Sequence, residues 1–222
     1  MSQGTIRKGR PRARRGEGQR LRGEIIAAAS SLLGELGDAN QLSMRAVAAA
    51  VGVTPPSIYR HFADKRALLV AVLEERWAEF GSVLTGAAAE VDDPFEALRR
   101  VGLAYLRFAE EHPGHYRVLF SAAGAAGVSQ DRSQHPGGPS YSLLVDAIER
   151  CLAASASSGR SSWFLALQML IAGHGLADLC MVQHFPFPWP PPEELLDALL
   201  DDLGLSGPQG RRRTEGPPTS AG

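Results

Sequence analysis

The stretch LSMRAVAAAVGVTPPSIYRHFADKRALL, residues 42–69, decides the fold of this chain. It predicts two short helices joined by a tight turn. Ser43 is placed to cap the first helix and Gly52 to make the turn. Thr54 is placed to cap the second helix, with Pro55 at the first position, where a missing N–H is harmless. This shape is typical of a helix-turn-helix that enters a DNA groove.

The second helix of the motif has two chemically distinct faces. Ile58 and Phe62 are four residues apart and are expected to face inward. The side chains left near its outer face and N-terminal end are Pro55, Ser57, Tyr59, Arg60 and His61. A recognition helix needs this division, because an apolar face fixes its angle while donors and acceptors meet base edges and phosphates. Lys65, at the start of the next helix, adds a cation beside a helix N-terminus.

The run GVTPPSIYRHFADKRALL, residues 52–69, resembles the signature of TetR-family transcription regulators. In that signature a Tyr-x-His-Phe end of the recognition helix is followed by a Lys-x-x-Leu-Leu start of the next helix, and the match continues without a gap from residue 21 to about 80. The resemblance implies a DNA-binding head of three helices plus the start of the fourth. It also implies a larger helical C-terminal domain that dimerises and usually holds a small-molecule pocket.

The resemblance further implies which residues contact DNA. Family positions that contact DNA are matched by Ser43, Arg45, Thr54, Pro55, Ser57, Tyr59, His61 and Lys65. Ser43 and Arg45 match positions that contact the backbone or a base. Thr54, Pro55 and Ser57 lie where base edges are read. Tyr59, His61 and Lys65 match positions that usually hold phosphates. Adjacent prolines leave few donors for base edges, which favours apolar contact with a thymine methyl. The alternative is that Tyr59 and His61 only pack or cap locally.

The formal net charge of −1 hides a strong asymmetry. Residues 1–22 contain eight Arg or Lys and one acidic residue, so the rest of the chain is acidic. The almost apolar-free segment 1–20 is expected to be a disordered basic arm. Its Arg10 and Arg12 are candidates for insertion into a minor groove, although a tail that tracks phosphates is the favoured interpretation.

The remaining chain is predicted to be all-α, with about nine helices, because helical spacing of apolar residues recurs and no period-two pattern occurs. We expect the helix-turn-helix domain over residues 21–80, a helical ligand-binding and dimerisation domain over 81–205, and a disordered tail over 206–222. A first helix starting near Leu21 and a long fourth helix capped by Asp64 belong to this prediction. The fourth helix would join the two domains as one rod.

The C-terminal half carries candidate effector-binding residues. The segments at 105–121 and 174–179 resemble a subgroup of regulators named for a Trp-His-Gly motif, although Leu170 stands where its Trp is expected. Side chains suited to an apolar pocket are those of Tyr105, Phe108, Tyr116, Phe120, Trp163, Phe164 and Met169, and some of them must be plain core. His174 is either a buried, hydrogen-bonded histidine or a ligand contact. Gly173, Gly175 and the leucines of the final helix suggest a dimer interface.

Several classes of function are disfavoured. The sequence has no GxSxG, no phosphate-binding glycine loop and no paired carboxylates in an apolar setting, so an enzyme is not expected. Two isolated cysteines predict no disulfide, and no set of metal ligands or cofactor motif is evident. No apolar run reaches the roughly 20 residues that cross a bilayer. We therefore expect a cytoplasmic protein without a membrane partner.

Together these features predict a homodimeric transcription regulator, most simply a repressor of a palindromic operator in double-stranded DNA. A small, mostly apolar effector would enter the C-terminal domain and release the DNA. The alternative is a ligand-free architectural or partner-binding protein that associates with DNA. Salt-dependent binding to operator and scrambled duplexes distinguishes the two.

Overall fold

The computed structural model describes residues 17–121, 137–155, 159–181 and 190–207. Within these ranges the chain forms nine helices and no strand, as predicted. They are α1 (Glu17–Leu36), α2 (Met44–Val51), α3 (Pro55–Tyr59), α4 (Lys65–Ala88), α5 (Pro94–Glu111), α6 (Pro113–Phe120), α7 (Gly138–Ala154), α8 (Ser162–Met181) and α9 (Pro192–Asp202). The predicted arm contacts at Arg10 and Arg12, and the tail from residue 208, lie outside the described residues.

The helix-turn-helix is built by the capping residues that the sequence indicates. Ser43 Oγ accepts a hydrogen bond from the Ala46 N–H at 3.1 Å and so caps α2. Gly52 adopts the left-handed conformation, with φ of 75°, that turns the chain toward α3. Asp64 Oδ1 caps α4 by accepting from the Ala67 N–H at 2.8 Å. These caps confirm the predicted boundaries of α2 and α4.

The cap of α3 differs from the prediction. Thr54 occupies the N-cap position, but its side chain makes no capping hydrogen bond. The reason is that Pro55 and Pro56 have no N–H, while the Ser57 N–H donates to the Thr54 backbone carbonyl at 2.8 Å. The Thr54 hydroxyl is therefore free to pair with the Ser57 hydroxyl at 3.1 Å.

The first helix begins at Glu17 rather than at Leu21, so the end of the predicted disordered arm is helical. Arg20 Nε donates to Glu24 Oε1 at 3.0 Å, an i,i+4 pair that supports the first turns. Farther along, the Arg22 guanidinium lies over the Phe62 ring, 5.0 Å from its centroid. The basic segment thus runs directly into the body of the head.

Helix α4 belongs to both halves of the molecule. Leu68 and Val72 are buried in its N-terminal part. The helix packs against α1 of the head and against α5, α6 and α7 of the C-terminal half. Trp77, Phe80 and Leu84 are buried there. The buried apolar residues of head and C-terminal half form one continuous core. The domain boundary near residue 80 is not marked by a break in this core and stays a prediction.

The C-terminal half surrounds α5, which packs against α4, α6, α7, α8 and α9. Leu196 and Leu200 of α9 are buried. Arg99 of α5 holds α9 through two hydrogen bonds to Asp197, at 2.6 and 3.1 Å. The final helix, which we expected in a dimer interface, therefore turns its buried leucine face toward its own subunit.

Candidate DNA-binding face and effector cavity

The outer face of α3 carries a short network of polar side chains. Ser57 Oγ pairs with Thr54 Oγ1 at 3.1 Å and accepts from Arg60 Nη2 at 3.3 Å. Tyr59 is 51% exposed, whereas Ile58 is fully buried and anchors the helix on the core. The network pre-orients the guanidinium beside the helix surface. This face can offer hydroxyl, phenol and guanidinium donors to a polyanion.

The other predicted DNA-contact residues differ in exposure and in hydrogen bonding. Lys65 Nζ donates to the Asn40 backbone carbonyl at 2.8 Å, which ties the α1–α2 loop to the start of α4. An ammonium has three N–H donors, so two remain for a phosphate. Arg45 is exposed on α2, and His61 is half-buried just beyond α3. Ser43 uses its oxygen lone pair for capping, which leaves its hydroxyl hydrogen available.

A cavity of about 430 Å³ lies in the C-terminal half, between α4, α5, α6, α7, α8 and α9. Such a volume lies within the roughly 300–1,000 Å³ of typical small-molecule sites. Among the described residues that line it, none is charged. Its apolar wall includes Phe80, Leu84, Val101, Leu144, Met169 and Leu199. The cavity therefore suits an apolar molecule.

A polar cluster of Tyr105, Tyr116 and His174, called here the Tyr-Tyr-His cluster, lies at the wall, and two of its members, Tyr105 and His174, line the cavity. The two phenol oxygens are 2.9 Å apart and lie 2.7 Å (Tyr105) and 2.6 Å (Tyr116) from His174 Nδ1. Burial lowers the pKa of His174, against the opposing charge of Asp178. Burial raises the pKa of Tyr116 to about 12 and raises that of Tyr105 further. All three groups are therefore neutral near pH 7.

The structure separates the predicted effector residues into two groups. Tyr105, Phe120, Met169 and His174 line the cavity. Phe108 and Tyr116 are core residues behind this wall, although the Tyr116 hydroxyl joins the cluster.

Trp163 and Phe164 do not line the cavity, contrary to expectation, and are 53% and 56% exposed. They lie in the first turn of α8, and more than half of each side chain is exposed. His174 is hydrogen-bonded, as the first interpretation expected, and it also lines the cavity, so ligand contact stays a prediction.

A close contact between α1 and α6, called here the α1–α6 contact, was not predicted. A Cβ atom on Gly114 would lie 1.7 Å from the Gly34 carbonyl oxygen, so the two backbones touch. Beside it, His115 Nε2 lies 2.9 Å from the Ser30 backbone oxygen. His115 and Tyr116 are neighbours, so one short helix contacts both the head and the cavity cluster. The only signals in the sequence were two glycines without an evident turn.

Helix α8 leaves a continuous stripe uncovered. The exposed positions at helical spacing are Phe164, Gln168, Ile171, Gly175 and Asp178. Ile171 is 65% exposed, and nothing lies near a Cβ built on Gly175. By length and composition alone, α8 is apolar enough to cross a membrane. Within the subunit, 22% of its apolar stretch is buried. The stripe combines the apolar side chains of Phe164 and Ile171 with the polar Gln168 and Asp178.

Metal-binding residues do not cluster in the part of the chain that the structure describes: no three His, Cys, Asp or Glu side chains come together. His112 and His115 have ring centroids 6.1 Å apart. His115 is already engaged with Ser30. Cys151 is buried and free, and burial raises its pKa to about 11, which keeps it an unreactive thiol.

A helix-turn-helix head joined through a shared helix to a cavity-bearing helical domain defines a class of regulatory protein. A family model described as "Bacterial regulatory proteins, tetR family" matches residues 25–72. A second, described as "Tetracyclin repressor-like, C-terminal domain", matches residues 98–203. The first range holds the helix-turn-helix and the second holds most of the cavity wall. The chain belongs to the TetR family of bacterial transcription regulators.

Relatives and solved structures agree with this assignment. The nucleoid occlusion factor SlmA of Edwardsiella ictaluri is 30% identical over 113 residues, which are 51% of this chain and 56% of that protein. The chain thus spans about half the length of the curated relatives it matches. A Rhodococcus sp. RHA1 protein of unknown function is 26% identical, with a TM-score of 0.69 over 82% of this chain and 93% of its own.

FadR of Bacillus subtilis, solved with stearoyl-CoA, shares the fold at 14% identity. Its TM-score is 0.64 over 82% of this chain and 96% of its own. At this identity the likeness concerns the fold alone.

Proposed function

We propose that this chain is a ligand-responsive transcriptional repressor that binds a palindromic operator as a homodimer and acts in the cytoplasm without catalysis. The observation that carries the proposal is the connection between two sites. The α3 face presents donors to solvent, a 430 Å³ apolar cavity lies in the other half, and α4 and α6 contact both regions. Family membership supports the same function.

The proposed DNA contacts follow from exposure and chemistry. Tyr59, Lys65 and His61 would hold phosphates, with Arg45 and the Ser43 hydroxyl contacting the backbone from α2. The outer face of α3, from Thr54 to Arg60, would read base edges in a major groove. Its prolines provide apolar contact, so the hydroxyls and guanidinium of the α3 network are the donors for base recognition. Arg10 and Arg12 would add contacts from the arm.

A second copy of the chain is the proposed partner of the exposed α8 stripe. Two such stripes packed antiparallel would bury Phe164 and Ile171, while Gly175 would allow close approach of the helix backbones. Covering this surface also explains why so apolar a helix is little buried in one subunit. A dimer would hold two heads at the fixed spacing that a palindrome requires.

The effector would release the DNA by acting on the helices that contact both regions. A molecule that enters the cavity touches α4 and α6 side chains, and both helices pack on α1. A shift of either helix would change the separation of the two heads and weaken binding, because half-site spacing is set by DNA geometry. The solved FadR structure contains stearoyl-CoA, which supports an apolar effector for a related fold.

One alternative function is favoured by a specific observation. The SlmA relatives are named nucleoid occlusion factors, a name that supports the alternative of a DNA-associated architectural protein. The apolar cavity favours the effector-responsive function, since an architectural protein has no need of an apolar cavity of this size.

The decisive experiment compares specific with nonspecific DNA binding. The full-length chain would select duplexes from a random library, and fluorescence anisotropy would then measure affinity for the selected and scrambled duplexes over a salt series. We expect a palindromic selected site bound about 10³-fold or more tightly than the scrambled duplex. Equal affinity for both duplexes would contradict the repressor function and favour the architectural alternative.

A further inference from the structure

The Tyr-Tyr-His cluster has a donor that its own hydrogen bonds cannot use. When His174 Nδ1 accepts, both phenol hydrogens are consumed inside the cluster and the Nε2–H points away from it. When Nδ1 carries the hydrogen instead, the Nδ1–H and one phenol hydroxyl donate within the cluster. The other hydroxyl then has no acceptor left in the cluster. Either tautomer of the neutral histidine therefore leaves one N–H or O–H for a group outside the cluster.

Two of the three residues that can carry this remaining donor belong to the cavity wall. Tyr105 and His174 both line the cavity, whereas Tyr116 lies behind them. The ring of Phe120, also in the wall, packs edge-on against the His174 ring at 4.5 Å and holds its orientation. An unpaired donor in an apolar cavity costs free energy. An acceptor on the bound molecule that pairs with this donor therefore adds to the affinity.

The described part of the wall offers no counter-ion to a buried charge. No Arg, Lys, Asp or Glu is among the described residues that line the cavity. An ionised carboxylate would lose its hydration there without gaining a counter-ion, and burial keeps His174 uncharged. Other hydroxyls in the wall are engaged, with Tyr141 donating to the Trp163 carbonyl at 3.0 Å and Ser121 to that of Val118 at 3.1 Å. The exception is Ser140, whose buried hydroxyl has no described partner.

From these observations we infer that the effector, or the part of it inside the cavity, is an uncharged apolar chain or ring system bearing one carbonyl-type oxygen. That oxygen accepts a hydrogen bond from the Tyr-Tyr-His cluster. The inference rests on the proposed effector function and names the chemical class of that effector. It also gives the cluster a role in signalling, because Tyr116 of the cluster is the neighbour of His115, which contacts Ser30 of α1.

The test uses three probes of equal chain length, namely 2-undecanone, undecane and undecanoate, with the full-length dimer at neutral pH. Isothermal titration and ligand-induced shifts of Tm measure binding. We expect the ketone to bind about tenfold more tightly than the alkane, the value of one hydrogen bond, and undecanoate to bind most weakly. Tightest binding of undecanoate, equal binding of ketone and alkane, or failure of all three probes would overturn the inference.

Variants locate the donor. The double variant Tyr105→Phe/His174→Phe removes both groups that can face the cavity, and the ketone should lose its advantage over the alkane while alkane binding persists. Alkane binding also reports that the double variant is folded. The control variant His112→Phe removes an exposed imidazole outside the cavity and should keep the full preference.

Ser140→Ala tests the competing hydroxyl. Loss of ketone preference in Ser140→Ala, together with its retention in the double variant, would assign the donor to Ser140 and overturn the inference. These outcomes are measured without DNA. They are therefore independent of operator selection, which tests the proposed function by itself.

Discussion

The substitution Gly114→Ala should destabilise the protein through the α1–α6 contact. The added Cβ would lie 1.7 Å from the Gly34 carbonyl oxygen and 2.6 Å from its carbon, both backbone atoms that no side-chain rotation can move. The helices must therefore separate. Overpacking of this kind costs about 1–3 kcal/mol or more, while replacing a helical glycine by alanine returns at most about 1 kcal/mol.

We expect the free energy of unfolding to fall by about 2 kcal/mol, which is the upper overpacking cost minus the gain in helix propensity. That corresponds to a fall in Tm of roughly 4–8 °C for a chain of this size. Urea unfolding at fixed protein concentration measures it, because the stability of a dimer depends on concentration. Operator affinity, measured well below the midpoint, should fall as well, since the contact positions α1 of the head.

Two matched substitutions control for helix propensity and for the contact itself. Gly86→Ala in α4 adds a methyl with nothing within 4 Å and should stabilise the protein by about 1 kcal/mol. Gly34→Ala meets the movable His115 ring at 2.9 Å, so its effect should lie between the other two. Stability of Gly114→Ala equal to or above that of Gly86→Ala would refute the argument.

Three other predictions address the DNA face, the dimer and the cavity cluster. Tyr59→Phe should weaken binding to every duplex alike by about 1.5 kcal/mol, roughly tenfold, if the hydroxyl holds a phosphate, and selective loss on one sequence in anisotropy titrations would contradict this. Ile171→Glu should convert the proposed dimer to monomer in sedimentation velocity, whereas the control Val83→Glu, at an exposed position of α4, should not. A dimer that persists in Ile171→Glu would place the interface elsewhere. Because burial lowers the pKa of His174 below its ordinary 6.5, the unfolded chain binds more protons than the folded one just below that pH. The free energy of unfolding should therefore fall as pH drops through 6.5, by up to about 1.4 kcal/mol per pH unit from this residue, and parallel profiles for wild type and His174→Phe would exclude the effect.

Local chemistry made much of the head predictable from sequence. Ser43, Gly52 and Asp64 act on backbone groups within a few residues, so the sequence is enough to place the ends of α2 and α4. The same holds for the inward faces of Ile58 and Phe62, which follow from helical spacing. Thr54 departed from the rule because Pro56 has no N–H to offer and the Ser57 N–H donates to the Thr54 backbone carbonyl instead.

The cavity was predictable only as a tendency. Aromatic residues at helical spacing indicate burial, but spacing on one helix does not say which other helices pack against it. Trp163 and Phe108 therefore looked equivalent in the sequence, whereas one is exposed and the other is core. The Tyr-Tyr-His cluster joins α5, α6 and α8 across 58 and 69 positions of sequence, and no local pattern encodes such a meeting.

The sequence by itself determined the helical class and the helix-turn-helix at residues 42–69, because both depend on interactions within one or two turns of chain. The residues of that motif were also enough to indicate the family. Only the tertiary structure decided that α6 links the head to the cavity, that α9 packs within the subunit, and that one face of α8 stays exposed. Those outcomes depend on how helix faces compete for a limited apolar core. Gly34 and Gly114 are the clearest case, since each is unremarkable alone and their role exists only where two backbones touch.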